Sequence, residues 1–219
     1  MKRKSVPPKR NEGSQLSGDP VRFRIVDGAR RHFFAHGFRG VTMDDLAEEL
    51  GMSKKTVYSR FDTKLQLLEA VIDEHFRHVG EDCARIIAAG GADFPATLRE
   101  FLAGIHRHTG EIQPPFIKDL RQEAPETFQR VESLRRANIQ RHFGELMRRG
   151  RQAGFIRKDI PAQIIIEILL AAVQAIQNPA RMEELGLTPK TGCGIIIKVV
   201  LEGAIDPASK LRFKPSGET

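Results

Sequence analysis

Apolar residues recur along this chain at steps of three and four, and no segment shows the strict alternation that a half-buried strand requires. The pattern predicts an all-α protein. Asp19-Pro20 is a helix start, a capping carboxylate followed by proline at the first helical position, and Ile25, Ala29 and Phe33 then recur every four residues until Gly37. Thr42 caps a second helix whose first turn carries Asp44 and Asp45 at its positive end, and Gly51 closes it after Leu50. Ser53 caps a third, equally short helix in which Val57 and Phe61 point inward. Asp62 opens a fourth, with Leu65, Leu68, Ile72, Phe76, Val79, Cys83 and Ile86 as one apolar stripe that ends at Gly90-Gly91. Further helices are expected around Leu98 to His108, from Pro114 to Glu123, from Pro125 to about Ala153, from about Asp159 to Gln177 and from Pro189 to Ala204.

Two of these stretches are apolar on nearly every side: Ile164 to Ile176, broken by Glu167 and Gln174, and Ile195 to Leu201, broken by Lys198. Both are shorter than the roughly 20 residues that a bilayer span needs, so no membrane role is expected. A helix apolar all round must be covered by other helices. The expectation is a homodimer through the last two helices, about 161–177 and 189–204, with burial inside one chain as the alternative.

The second and third helices, joined by Gly51-Met52-Ser53, have the spacing of a helix-turn-helix: glycine lets the chain turn, Met52 fills the angle, and Ser53 restarts the helix. With Val57 and Phe61 facing in, Lys55 and Ser59 face directly out, flanked by Thr56 and Tyr58. These side-chain types reach base edges and phosphates in a major groove. Lys55 and Thr56 are the candidates for bases, while Tyr58, the single tyrosine, and Thr42 and Lys64 at helix starts are placed to clamp phosphates. Ser53, Lys54 and Ser59 complete the face. Read one at a time, each is equally a solvated surface residue or a cap.

Charge sharpens this reading. Residues 1–65 hold fourteen Lys and Arg against eight Asp and Glu, whereas the rest of the chain is nearly balanced within a net charge of +7. A polyanion partner for the N-terminal third follows from counterion release, with a solubilising tail as the alternative. Residues 1–19, rich in Pro, Gly and basic residues, form an arm with little to bury, long enough to reach a neighbouring minor groove.

Residues 21–72 resemble the DNA-binding domain of the tetracycline-repressor (TetR) family. The likeness rests on Ile25, Ala29, Phe33, Gly37, Thr42, Leu46, Ala47, Gly51, Ser53, Val57, Tyr58, Phe61, Lys64 and Leu68, with residues 51–58 as its centre. The resemblance implies an all-helical homodimer that binds a double-stranded DNA operator through an N-terminal three-helix domain, and a divergent C-terminal domain in which a small molecule often binds. By position it assigns Thr42, Tyr58 and Lys64 to phosphate and Lys54, Lys55 and Thr56 to bases. The expected organisation is an arm (1–19), a DNA-binding domain (20–65), a helical effector-binding and dimerisation domain (66–205) and a tail (206–219).

Other chemistry finds little support. Cys83 and Cys193 lie far apart, outside any CxxC or Cys/His cluster, so neither a disulfide framework nor zinc is expected. The pairs His32/His36, His75/His78 and His106/His108 have spacings that could bind a metal but no third ligand, and read as core or surface histidines. Asp44, Asp45, Glu48 and Glu49 read as the solvated face of the second helix. No GxSxG, P-loop or GxGxxG is present, and no enzyme activity or cofactor is expected. The basic start is followed by no apolar stretch before residue 20, which points to the cytoplasm. Phe76, Phe101, Ile105, His108, Phe116, Phe143 and Met147 are candidates to line an apolar effector pocket, with a histidine donor from His106 or His108, although each alone reads as plain core. The sequence therefore predicts a transcription regulator, repressor before activator. A ligand-independent architectural DNA-binding protein and a protein-interaction adaptor are the alternatives.

Overall fold

The computed structural model describes residues 19–205; residues 1–18 of the basic arm and the tail 206–219 lie outside the described residues. Helix α1 (Pro20–His36) starts where the Asp19 carboxylate accepts from the backbone N–H groups of Val21 and Arg22, and stops at Gly37, whose φ of 91° suits glycine. α2 (Met43–Glu49) carries a capping box in which the Thr42 hydroxyl and the Asp45 carboxylate exchange hydrogen bonds with each other's backbone N–H. α3 (Lys54–Tyr58) is capped by the Ser53 hydroxyl and α4 (Lys64–Ala89) by that of Thr63. The expected start at Asp62 is thus corrected by one position. The Asp62 N–H donates instead to the Gln66 side chain, so Gln66 and Thr63 close the turn together.

α5 (Phe94–Gly110), α6 (Pro114–Glu123), α7 (Pro125–Asn138), α8 (Gly144–Gln152), α9 (Ala162–Ile176), α10 (Pro179–Glu184) and α11 (Pro189–Ala204) follow. Three details differ from expectation. The long helix from Pro125 is interrupted by a π-helical turn, Ile139–Phe143. Helix α9 begins at Ala162 rather than near Asp159, because Pro161 sits at its cap and Asp159 is drawn off by Arg157. The connection before α11 holds the extra helix α10, started by the Asn178 cap and Pro179.

Two apolar clusters form the core. One contains Ile25, Phe33, Leu46 and Val57 of α1–α3 and Phe61, which was expected in the third helix but lies beyond its end at Tyr58, together with Leu67, Leu68 and Val71 of α4 and Phe116, Ile117 and Leu120 of α6. The other joins the C-terminal half of α4 to α5, the π turn and α8, α9 and α11. α4 threads both, buried on two sides by Leu67 and Val71 as well as by Leu68 and Ile72, while Leu65, assigned to the inward stripe, is nearly half exposed. Each fully buried Leu, Ile or Phe contributes about 1.5–3 kcal/mol. The surface ion pairs, many of them one helical turn apart, contribute about 0–1 kcal/mol each. Apolar burial therefore decides the fold.

The first cluster also fastens α6 to α1. The Gln113 N–H donates to the Phe34 carbonyl at 2.9 Å, and the Arg39 N–H, after the end of α1, donates to the Asp119 carboxylate at 2.9 Å. Arg30 of α1 pairs with Glu111. Elsewhere α8 packs closely: a Cβ on Gly150 would stand 2.5 Å from the Phe94 ring and from Ile156.

Candidate nucleic-acid interface and cavity

The turn between α2 and α3 is built by backbone hydrogen bonds. The Gly51 N–H donates to the Glu48 carbonyl at 3.0 Å and the Met52 N–H to the Ala47 carbonyl at 2.8 Å, the paired bonds of a Schellman ending. That ending needs the φ of 61° that Gly51 adopts. Met52 is half-buried against the first cluster, as expected for a residue filling the interhelical angle.

α3 is then oriented by its own pattern. Val57 (0 % exposed) and Phe61 (2 %) anchor it, which turns Lys55, Tyr58 and Ser59 to solvent, Tyr58 with 44 % of its surface exposed. Among the described residues the Lys55 ammonium has no ion-pair or hydrogen-bond partner, whereas Lys54 is tied at 2.5 Å to Asp44 of α2, which raises its pKa. Thr56 is half-buried with its hydroxyl on Ser53, and Ser59 donates back to the Thr56 carbonyl. Thr42 is exposed, its hydroxyl capping α2. Two arginines that the helix pattern left unremarked also border α3. Arg60 pairs with Asp19 at 2.6 Å, and Arg22 lies 4.3 Å over the Phe61 ring. Both tie α3 to the start of α1.

Lys64 departs from its expected place. Its ammonium donates to the carbonyls of Phe38 (2.9 Å), Val41 (3.0 Å) and, more weakly, Arg39 (3.4 Å), and it lies 4.4 Å over the Phe38 ring. An ammonium has three N–H donors, and all three are used. Burial holds its pKa below the usual lysine range. In this conformation Lys64 is a strut under the α1–α2 turn, with no donor left for a phosphate.

Between α4, α5, α6, α7, the π turn, α9 and α11 lies a cavity of about 150 Å³. Phe76, Phe101, Ile105, His108, Phe116 and Phe143 line it, as the sequence suggested, but Met147 does not: it is fully buried in the second cluster. Of the two suggested donors His108 is on the wall, its ring nitrogen 3.0 Å from Asp82, whereas the His106 ring sits against Gly194 of α11. His75, Asn138, His142 and Gln177 are further polar residues on the wall that the sequence reading did not pick out. His75 was visible as a histidine within the α4 stripe. The π turn that presents His142 and Phe143 leaves no mark in the helical period. Burial, with the positive charges around His108, Arg30, His78 and Arg135, pushes the His75 imidazole down to about 3. Burial and Arg141 lower His142. Both shifts favour the neutral ring. The Cys83 and Cys193 thiols, also on the wall, are pushed up by burial to about 12 and about 11.

The remaining predicted surface is on α9 and α11. Ile164 and Ile168, one turn apart on α9, and Ile195 and Val199, one turn apart on α11, are each about half exposed or more, up to 64 % at Val199. Among the described residues no helix is long and apolar enough to cross a membrane.

Comparison with known proteins gives a consistent result. Residues 25–71 match the family described as "Bacterial regulatory proteins, tetR family". The chain is 25 % identical over 169 residues to the HTH-type transcriptional repressor Rv1474c of Mycobacterium tuberculosis, covering 74 % of this chain and 86 % of that protein. It is 33 % identical over 63 residues to the HTH-type transcriptional activator FasR of Mycolicibacterium smegmatis, a match that spans 29 % of each chain. The structure of SmeT, described as the repressor of a Stenotrophomonas maltophilia multidrug efflux pump, superposes with a TM-score of 0.59 at 17 % identity, over 90 % of this chain and 94 % of that one. At that identity the likeness concerns the fold.

Proposed function

We infer that this DNA-binding transcription regulator, whose residues 25–71 match the family described as bacterial regulatory proteins of the tetR family, is a cytoplasmic homodimeric repressor that a small apolar effector releases from a palindromic operator. The observation that carries the DNA-binding face is α3. Burial of Val57 and Phe61 fixes its rotation, and an unpaired Lys55 and an exposed Tyr58 stand outward beside the capped starts of α2 and α3. In this reading Lys55 and Thr56 touch bases, and Thr42, Ser53, Tyr58 and Ser59 hold phosphates. Lys54 is available once Asp44 gives way, and Lys64 holds the turn that positions them all. The chain is assigned no catalytic role.

The dimer assignment rests on the exposed stripes of α9 and α11. Two such pairs of helices, packed together, cover one another's Ile164, Ile168, Ile195 and Val199, and give two recognition helices about 34 Å apart, one turn of DNA. Repression is favoured by the similarity to Rv1474c, which runs through most of both proteins, whereas the similarity to the activator FasR covers only a short segment of each chain. The effector reading rests on the cavity, and one wall of it explains the coupling. Phe34 belongs to α1, lines the cavity, and has its ring centre 5.0 Å from that of His75 and 4.9 Å from that of Phe116. An occupant touches the helix that carries the DNA-binding domain. It releases DNA to the extent that it binds the non-operator geometry more tightly.

Selection of bound duplexes from a random pool tests this reading. The expected enriched site has two inverted half-sites about ten base pairs apart, and Lys55→Ala lowers affinity for it about tenfold or more. Failure to enrich any sequence at low salt, or an unchanged affinity in Lys55→Ala, refutes the assignment.

A further inference from the structure

We propose that the cavity selects an uncharged, mainly apolar compound about the size of one substituted ring, carrying a hydroxyl or carbonyl oxygen that His75 and His142 hydrogen-bond. The proposal rests on the effector reading above and specifies its chemistry. It starts from two mostly buried side chains to which no protein group hydrogen-bonds. His75 and His142 are each only 7 % exposed, both line the cavity, and neither has a hydrogen-bond partner among the described residues. Buried polar groups in folded proteins are almost always paired. The other polar residues of the wall obey that rule: Asn138 donates to the Leu134 carbonyl, Thr109 to the Ile105 carbonyl, and Gln177 to the Pro189 carbonyl.

The geometry around His142 singles it out further. It is presented by the π turn Ile139–Phe143, which brings Ile139 and Phe143 to the same cavity, and π turns are frequent at functional sites. The ring is held close against α4, where glycine lets it approach: a Cβ on Gly80 would stand 3.4 Å from His142 Nε2 and 3.0 Å from Asn138 Oδ1.

Charge then narrows the class. A neutral imidazole offers one N–H and one lone pair, which complements a hydroxyl fully and a carbonyl by its N–H. The charged groups bordering the cavity already have partners. Arg135, on the wall, is paired with Glu132 at 2.6 Å, and Asp82, behind His108, with Arg85 at 2.7 Å. Among the described residues no Asp or Glu lines the cavity. A charged occupant would lose its hydration without gaining an unpaired counter-ion, which is strongly unfavourable. Size sets the last limit, since an apolar cavity of about 150 Å³ holds a benzene-sized molecule.

The test is calorimetric titration of the full-length protein at pH 7.5, without DNA, using four probes of matched shape: toluene, para-cresol, para-toluate and 4-methylbenzylammonium. Para-cresol is expected to bind about tenfold or more tighter than each of the others, the ratio that one satisfied buried hydrogen bond supplies. His75→Phe and His142→Phe should narrow the gap between cresol and toluene to about threefold or less while toluene affinity holds. His142→Asn, which keeps a donor and an acceptor, should retain more of the gap and serves if the phenylalanine variant does not fold. In protein labelled with nitrogen-15, the imidazole signals of His75 and His142 should move on addition of para-cresol. Equal binding of toluene and para-cresol, tighter binding of either ion, or no binding of any probe overturns the proposal. Para-cresol that binds as expected yet leaves operator affinity unchanged upholds this ligand class and refutes release by the effector, so the two readings fail separately.

Discussion

Replacing Lys64 by alanine separates a structural from a phosphate-binding lysine. The substitution removes donors to the partly buried carbonyls of Phe38 and Val41 at 2.9 and 3.0 Å, a weaker one to Arg39, and a cation over the Phe38 ring at 4.4 Å. A hydrogen bond from a charged donor contributes about 1.5–3 kcal/mol when both partners are desolvated. Here the turn is at the surface and water can replace the ammonium, so the whole set is worth about 2 kcal/mol, including the roughly 0.5–1 kcal/mol of an exposed cation–π contact. With a urea dependence of about 2–3 kcal/mol per molar, the unfolding midpoint followed by circular dichroism should fall by about 0.7–1 M. Lys64→Met, which keeps the stem over Phe38 but no donor, should fall by less. Operator affinity is then measured against salt. A strut that makes no phosphate contact leaves the slope of log affinity on log salt unchanged, whereas a lost phosphate contact lowers it by about one. A midpoint equal to that of the parent together with a slope reduced by one would refute the reasoning.

Three further outcomes follow from the packing. Gly150→Ala puts a methyl group 2.5 Å from Phe94 and Ile156, so it should destabilise the protein by about 1–3 kcal/mol although alanine is the better helix former; a gain in thermal midpoint would contradict this. Ile168→Asp places a carboxylate in the exposed stripe of α9, 55 % exposed at this position, and sedimentation should show a monomer; a surviving dimer would move the interface elsewhere. His75 ties stability to pH. Its folded pKa, about 3, lies below the unfolded value near 6.5, so in that window the unfolded chain binds the extra proton, and stability drops as pH falls from about 6.5 towards 3. His75→Phe should flatten that part of the stability profile, and an unchanged profile would show that the ring is not held neutral.

The residues that could be read from the sequence are those whose roles are local. A cap acts across three residues and an amphipathic pair across one turn, so Thr42, Ser53, Gly51, Val57 and Phe61 announced the helix-turn-helix and the direction in which Lys55 and Tyr58 point. Local signals failed where a remote partner competes. Lys64 sits at a helix start, where a phosphate clamp is natural, but its carbonyl partners lie 23 to 26 residues upstream. Leu65 fits the inward spacing of α4, yet α4 is buried on two other sides.

The cavity shows the same division more sharply. Phe76, Phe101, Ile105, His108, Phe116 and Phe143 could be proposed because they are apolar or amphipathic residues on helices expected to pack together. Whether such a residue lines a space or fills one depends on fractions of an ångström in how helices cross, and Met147, of the same pattern, fills. The contributions of Phe34, from the DNA-binding domain, and of His75 and His142 arise only when α1, α4, α6 and the π turn meet. The sequence by itself determined an all-helical chain with a helix-turn-helix near its start, since caps, turns and periodicity act over a few bonds. Tertiary structure alone decided which of Lys54, Lys55 and Lys64 is unpaired, which imidazoles are buried without protein partners, and which apolar stripes on α9 and α11 stay uncovered, because desolvation and pairing are set by neighbours far away along the chain.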